Sequence, residues 1–167
     1  MAQIDLKNAT VTLSDHLAVH TIAVAIGEGD LSWSEKRAVE YTLDKGVLDN
    51  VRLGDEEPVE VSLDATWDFV STGTGNNKGS FLLADAIKGK TTGATLVTWV
   101  STDIDSCKPY AIDIIVAYVP GCGVSAETET VTLSDFRWET LDYSFDNGTL
   151  SVSGRCNILE AEVSAIT

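Results

Sequence analysis

The stretch "VEVSLDATWDF", residues 59–69, alternates without a break. Val59, Val61, Leu63, Ala65, Trp67 and Phe69 hold the odd positions, and Glu60, Ser62, Asp64, Thr66 and Asp68 hold the even ones. Successive side chains on a strand point to opposite faces, so this pattern describes a long β-strand with one buried face. An apolar strand face must be covered by another sheet or by a helix, which restricts the chain to sheet-based architectures. The opposite face carries carboxylates at 60, 64 and 68 with no Lys or Arg between them. Any functional reading has to account for that row of acid.

The same period of two recurs along the chain. Ile4 and Leu6, then Val11 and Leu13, mark an N-terminal strand with "LSDH" as its turn. "HTIAVAIGEGDLSW" reads as a second strand, bent at Gly27 and Gly29. In "RAVEYTLD", Val39, Tyr41 and Leu43 alternate with Glu40, Thr42 and Asp44. The connection that follows, Asp44 to Glu57, is far longer than the ~2–5 residues of an ordinary hairpin loop. It keeps Val47, Leu48, Val51 and Leu53, which a solvated loop has no need of, so it is predicted to be an extended hairpin arm that packs against something.

"STGTGNNKGS" reads as a loop, and "SFLLADAIKGK" as the one helix. Ser80 would cap the helix, Phe81, Leu83, Ala84 and Ile87 share a face, Lys88 suits the end dipole, and Gly89 terminates it. "ATLVTWVS", "PYAIDIIVAYV", "ETVTLSDF" and "RWETLDYSF" are further strands, and Asn147-Gly148 signals a two-residue type I′ hairpin turn. The expected fold is mainly β: an antiparallel sandwich or barrel with one short helix covering an open side. No repeat, low-complexity segment or boundary signal occurs, so residues 1–167 are expected to form a single domain.

The composition excludes several partners. There are 26 Asp and Glu against 11 Lys and Arg, a net charge of −15. Such a surface repels phosphate and anionic lipid, which disfavours tight binding to nucleic acid or to a membrane surface. Plain solubility is the competing account of the same charge. No apolar run reaches the ~18 residues of a membrane-spanning helix. "MAQIDLKNAT" lacks the basic and then apolar start of a signal peptide, so the N-x-T sites at Asn8 and Asn147 are expected to be unmodified. Cys107, Cys122 and Cys156 are read as free thiols, with a Cys107–Cys122 bridge as the alternative. Trp33, Trp67, Trp99 and Trp138 are read as core residues.

Catalytic signatures are missing. His16 and His20 sit four apart with no third ligand placed to complete a metal site. Asp103 and Asp105 are calcium-type donors, but the spacing of a full EF-hand loop is absent. No nucleophile elbow, P-loop, dinucleotide fingerprint or HExxH motif occurs. The carboxylates of residues 60–68 are too spread along one strand for a glycosidase pair unless a neighbouring strand supplies the partner. The chain is expected not to be an enzyme and to need no metal or cofactor.

Three segments carry a resemblance: "QIDLKNATVTL", "IGEGDLSWSEKRAVEYTLDKGVLDNVRLGDEEPVEVSLDATWDF" and "SDFRWETLDYSFDNGTLSVSGRCNILEAEV". Together they resemble the major tail tube proteins of long-tailed bacteriophages over nearly the whole length. The resemblance implies a tail-tube-like β-sandwich with one flanking helix. Copies would assemble as homohexameric rings that stack into a tube around a lumen. It also implies an arm at about 44–57 with Val47, Leu48, Val51, Arg52 and Leu53 as inter-ring contacts, Arg52 being free to pair across that contact. The strands at 39–43 and 59–69 would lie in the tube wall, with Glu40, Glu60, Asp64 and Asp68 facing the lumen.

On that resemblance, a tape measure protein and tail terminator or tip proteins would be partners, and double-stranded DNA would pass without specific binding. The tail would be assembled in the cytoplasm of the infected bacterium and reside in the virion. A carboxylate-lined bore repels phosphate and keeps DNA from adhering, while salt screens the acids from one another over ~10 Å. Two rival classes share the pattern. One is a β-sandwich binding module for carbohydrate or receptor, or a virion decoration protein. The other is a tube protein of a contractile injection system, with the same architecture and a different cargo. More plainly, the acidic strand face would only meet solvent, and the arm would fold back on its own domain.

Overall fold

The computed structural model describes residues 9–16, 20–24, 26, 30–66, 82–92, 97–118 and 128–166. Chain order runs β1 (Ala9–Ser14), β2 (Thr21–Val24), β3 (Leu31–Ser34), β4 (Arg37–Asp44), β5 (Val47–Glu56) and β6 (Val59–Thr66). Then come α1 (Leu82–Ile87), β7 (Thr91–Thr92), β8 (Val97–Thr98), β9 (Ile112–Tyr118), β10 (Thr128–Ser144), β11 (Thr149–Cys156) and β12 (Glu162–Ile166). The main sheet has the order β2-β1-β9-β10-β11-β6-β3, with β12 also on β10, and all its pairings are antiparallel. The mainly antiparallel β fold with one short helix, expected from the period-two segments, is the fold observed among the described residues.

The alternating strand packs as its pattern requires. Val59, Val61, Leu63 and Ala65 are buried on β6, directly opposite Cys156, Gly154, Val152 and Leu150 of β11. Burying one large apolar side chain in full is worth ~1.5–3 kcal/mol, so this double row is a main source of stability. Trp67, Asp68 and Phe69 lie outside the described residues.

β10 is the spine of the sheet. Over 128–132 it pairs with β12 on one side and β9 on the other; over 136–144, β11 takes the place of β12. The exchange occurs at a bulge, where Leu133 faces Ile114 and Phe136 faces Ile112, so β10 carries one extra residue. Asp135 turns there into the left-handed region at φ 55°. A bulge bends its strand and sharpens the twist. Val11, Leu13 and Ile114 from one half of the sheet accordingly join Val59, Leu63 and Val152 from the other in a single core, together with α1. "ETVTLSDF" and "RWETLDYSF" are therefore one 17-residue strand. Register shifts after Leu133 and after Trp138 change the phase of alternation, which is why the sequence reads as two.

Other expectations change in the same way. "HTIAVAIGEGDLSW" is not one strand: β2 and β3 occupy opposite ends of the sheet, and Gly27 and Gly29 lie outside the described residues. The Asn147-Gly148 signal does not make a two-residue turn. Ser144 pairs with Thr149 across a four-residue loop in which only Gly148 has a positive φ, 59°. β4 is not in the main sheet at all and pairs only with β5. Of the tryptophans, Trp99 is core, but Trp33 and Trp138 are each 39% exposed because they stand at an edge strand and beside a bulge.

α1 buries Leu83, Ala84, Ala86 and Ile87; Ser80 and Phe81 lie outside the described residues. The helix ends as expected at Gly89 (φ 66°), whose N–H donates to the Ala86 carbonyl at 3.2 Å while that of Lys90 donates to the Asp85 carbonyl at 2.9 Å. This paired closure needs a left-handed residue. Lys88 Nζ reaches across to the Tyr143 hydroxyl at 2.8 Å and ties the helix to β10. Tyr110 packs against the same helix end and donates its hydroxyl to the Ala86 carbonyl at 2.9 Å.

Among the described glycines, the closest backbone approach lies between β10 and β11. A Cβ on Gly154 would stand 2.0 Å from the Arg137 carbonyl oxygen, and no side-chain rotation can relieve a clash with backbone. Gly154→Ala is expected to cost at least ~1–3 kcal/mol as strain. Urea unfolding should show a lower midpoint at unchanged slope, while the exposed neighbour Ser153→Ala should stay within ~0.5 kcal/mol of the parent.

Candidate assembly surfaces

β4 and β5 form a free-standing hairpin. Asp44 pairs with Val47 around Lys45 and Gly46, whose φ angles of 50° and 81° make a type I′ turn. The two-residue turn thus sits at Lys45-Gly46. The stretch 44–57 holds only the turn and the second strand of an arm that begins at Arg37, so the arm is longer than the sequence reading placed it, and its first strand is the one assigned there to the tube wall.

Pairing sorts the arm into two faces. Val39 stands opposite Leu53, Tyr41 opposite Val51, and Leu43 opposite Leu48. These residues are all exposed, from 39% at Val39 to 64% at Tyr41, and Val47 beside the turn is 70% exposed. They do not fold back on the domain. The alternate positions pair Glu40 with Arg52 and Thr42 with Asn50, and Arg52 Nε donates to the Glu40 carboxylate. Arg52 is therefore engaged within its own arm at mid-length, and Lys45 is the basic residue at the tip. Sequence reading found Val47, Leu48, Val51 and Leu53 but missed Val39, Tyr41 and Leu43 as their cross-strand partners. The available signal was the Lys45-Gly46 dipeptide between two apolar runs. An isolated two-stranded hairpin is marginal in water, and contiguous exposed apolar surface of this kind marks an interaction site.

The second surface is the polar face of β3, β6, β11 and the end of β10. Glu60, Ser62, Asp64 and Thr66 project from β6 in register with Arg155, Ser153, Ser151 and Thr149 of β11, and Ser32 and Ser34 continue the rows on β3. Two of its acids are not bare. Lys36 Nζ lies 2.9 Å from Glu60 Oε2, and this hydrogen bond and charge hold the Glu60 carboxyl below the usual carboxylate range. Arg155 Nε lies 3.6 Å from Glu139 Oε1. The unneutralised row inferred from "VEVSLDATWDF" is thus broken at its first member by a cation from the β3–β4 connection. Glu40 stands on the hairpin, off this face, and Asp68 lies outside the described residues. A shallow depression crosses the face, lined by Ser32, Trp33, Glu60, Ser62, Ser153 and Arg155.

The remaining candidate residues lie away from these two surfaces' polar and apolar rows. Asp15 is 3% exposed and accepts from His20 Nδ1 at 2.6 Å, while His20 lies against Trp99 with ring centroids 6.0 Å apart. His16 stays exposed, its N–H donating to the Val100 carbonyl at 3.2 Å. Asp103 is held by Lys108 at 3.1 Å and Arg137 at 2.7 Å. The Asp105 N–H donates to it first, and the two cations add to this, so its carboxyl titrates below the ordinary range. Asp105 Oδ1 accepts from the Cys107 N–H at 3.0 Å. Cys107 is exposed and Cys156 buried, both as free thiols; Cys122 lies outside the described residues, as does Asn8. Among the described residues, no three His, Cys, Asp or Glu gather as a metal site.

This arrangement of a curved antiparallel sheet, one flanking helix and a projecting hairpin is a tail-tube-like β fold. Three solved assemblies contain chains that share it. One chain from the cryo-EM structure of the anti-feeding prophage cap (AFP tube terminating cap) aligns with a TM-score of 0.57 at 13% identity, covering 100% of this chain and 93% of that one. A chain from the sheath/tube terminator of an extracellular contractile injection system (PVC) in the extended state aligns at 0.57 and 13%, covering 100% and 99%. A chain from the sheath-tube complex of the same kind of system aligns at 0.53 and 14%, covering 98% and 93%. At the level of sequence, no family model and no curated protein matches the chain. Identities this low establish a common fold and nothing finer.

Proposed function

We propose that this chain is a non-catalytic structural subunit of a phage-type tail tube, built of stacked six-membered rings in the sense of its tail-tube resemblance. The observation that carries the reading is the hairpin Arg37–Glu56, which presents Val39, Tyr41, Leu43, Leu48, Val51 and Leu53 to solvent. A monomer gains nothing from such a face, whereas a neighbouring ring would bury it. The polar face of β6 and β11 would then line the bore. Its acids Glu60, Asp64, Glu139 and Asp142 outnumber Lys36 and Arg155, and its serine hydroxyls offer phosphate no fixed charge. DNA would slide past such a wall without adhering. A tape measure protein and tail terminator or tip proteins would complete the particle, and the site of action would be the virion tail.

Negative-stain electron microscopy of concentrated protein tests this. Hollow tubes or six-fold rings are the expected result, and protein that stays monomeric at every salt and protein concentration would end the reading. The chains reported above as sharing the fold come from the anti-feeding prophage cap and from extracellular contractile injection systems, so a tube component of such a particle is the near alternative, with the cargo as the difference. A binding module is the distant one, favoured by Trp33 standing exposed beside the serine-lined depression. A sugar-dependent change in tryptophan fluorescence, lost in Trp33→Ala, would support the module over the tube.

A further inference from the structure

β3 and β6 pair as far as Ser34 and Glu60, and β4 and β5 resume the pairing at Arg37 and Glu56. The break falls beside Pro58, which has no N–H to give to a ladder. The arm is therefore the far half of one long hairpin, and its root stands where β6 begins. The other end of β6 meets a different structure. Thr66 pairs with Thr149 of β11, which pairs with Ser144 of β10 across the loop of residues 145–148. From Val59 to Thr66 is ~23 Å at ~3.3 Å per residue, so arm root and loop lie at opposite ends of the same strands.

Phe145, in that loop, is 80% exposed, more than any other large apolar residue among those described. The loop has a fixed base. Tyr143, two residues before Phe145, receives Lys88 Nζ of α1 at 2.8 Å from its hydroxyl and 5.4 Å from its ring centroid. Asp146, the next residue after Phe145, is exposed and enters no ion pair among the described residues. Lys45, the cation at the tip of the arm, enters none either.

We propose that the arm of one copy docks on the 145–148 loop of the next, closing its apolar row over Phe145 and bringing Lys45 to Asp146. The inference rests on the tube reading and names the surface that receives the arm. Contact between two different patches of identical subunits builds an open stack when it does not close on itself. Such a stack needs donor and acceptor at opposite ends of the subunit, and the two ends of β6 supply them. The two surfaces are also complementary in kind. Val39, Tyr41, Leu43, Leu48, Val51 and Leu53 form a broad apolar ribbon, while the loop offers one aromatic side chain rimmed by acid. A buried aromatic anchor carries most of the affinity in contacts of this kind, and the opposite charges of Lys45 and Asp146 fix the register.

Sedimentation and electron microscopy of two variants and their mixture test the docking. Phe145→Ala keeps the arm and loses the anchor, whereas Tyr41→Asp with Leu53→Asp keeps the anchor and loses the arm. Each should raise the protein concentration needed for tubes about tenfold or more. Each should also melt within ~2 °C of the parent, because the altered sites are exposed. Mixed in equal amounts, the two retain one working junction, so a species twice the mass of either alone is expected, without tubes. Lys45→Glu or Asp146→Lys should each raise that concentration about threefold, and the two together should restore the parental value. Parental tubes from Phe145→Ala, a mixture no heavier than its components, or a double reversal no better than the singles would overturn the docking and leave the tube reading standing. A parent that never polymerises would overturn both.

Discussion

Replacing residues 39–53 by a two-glycine turn that joins Ala38 to Gly54 is expected to abolish tubes and leave the domain folded. The join is sterically natural, because a Cβ on Gly54 would lie 2.9 Å from the Ala38 Cβ, so the chain ends already meet at the arm's root. The fold should survive because β4 and β5 pair only with each other and none of their apolar side chains belongs to the core. Assembly should not survive. The deletion removes Val39, Tyr41, Leu43, Leu48, Val51 and Leu53, each worth ~1.5–3 kcal/mol when fully buried against a neighbour. Circular dichroism and a melting temperature within ~4 °C of the parent would report the intact domain, and electron microscopy and sedimentation the lost polymer. Tubes of ordinary length from the deleted protein would remove the arm from assembly. A milder pair, Tyr41→Asp with Leu53→Asp, should give the same loss through buried charge rather than missing contact.

Phe136→Ala is expected to have the largest effect on the isolated domain. Phe136 is 2% exposed at the bulge, between Ile112 of β9 and Cys156 of β11, where the two halves of the sheet meet. Truncating a buried Phe costs ~3–5 kcal/mol from lost transfer energy and the cavity left behind. In a chain of this length that is a fall of ~10 °C or more in melting temperature. A second readout is chemical. The Cys156 thiol is held up to about 12 chiefly by burial, so a cavity beside it should admit water and a thiol reagent. Native-state labelling of Cys156 should accelerate while exposed Cys107 reacts as before. A variant melting within a few degrees of the parent, with Cys156 still silent, would show that this junction is not the keystone of the core.

Much of this architecture was legible from residue type alone. The period of two in residues 59–66 announces which side of β6 is buried, because alternation leaves no other arrangement for Val59, Val61, Leu63 and Ala65. The helix end was legible because a left-handed position favours glycine, and Gly89 supplies it. The arm's apolar residues were legible as surplus. Glu60 and Asp64 were correctly assigned to the polar face, although whether that face lines a bore rests with the assembly experiment.

Local pattern was least informative wherever a residue's partner lies far away in the chain. Nothing in "VEVSLDATWDF" reveals that Lys36 neutralises Glu60, since the ion pair exists only after β3 aligns beside β6. The continuity of β10 was hidden because a bulge shifts the alternation by one residue, and pairing with β9 is what stabilises the left-handed Asp135. Asn147-Gly148 looked like the tight turn and Lys45-Gly46 did not, yet strand register set the loop lengths and reversed the two.

By itself the sequence determined the class of fold, the buried side of its strands and the presence of an apolar arm, because these follow from nearest-neighbour periodicity and side-chain chemistry. Only the tertiary structure decided which strands meet, which acids are paired and where the arm begins, because those depend on contacts between residues far apart in the chain.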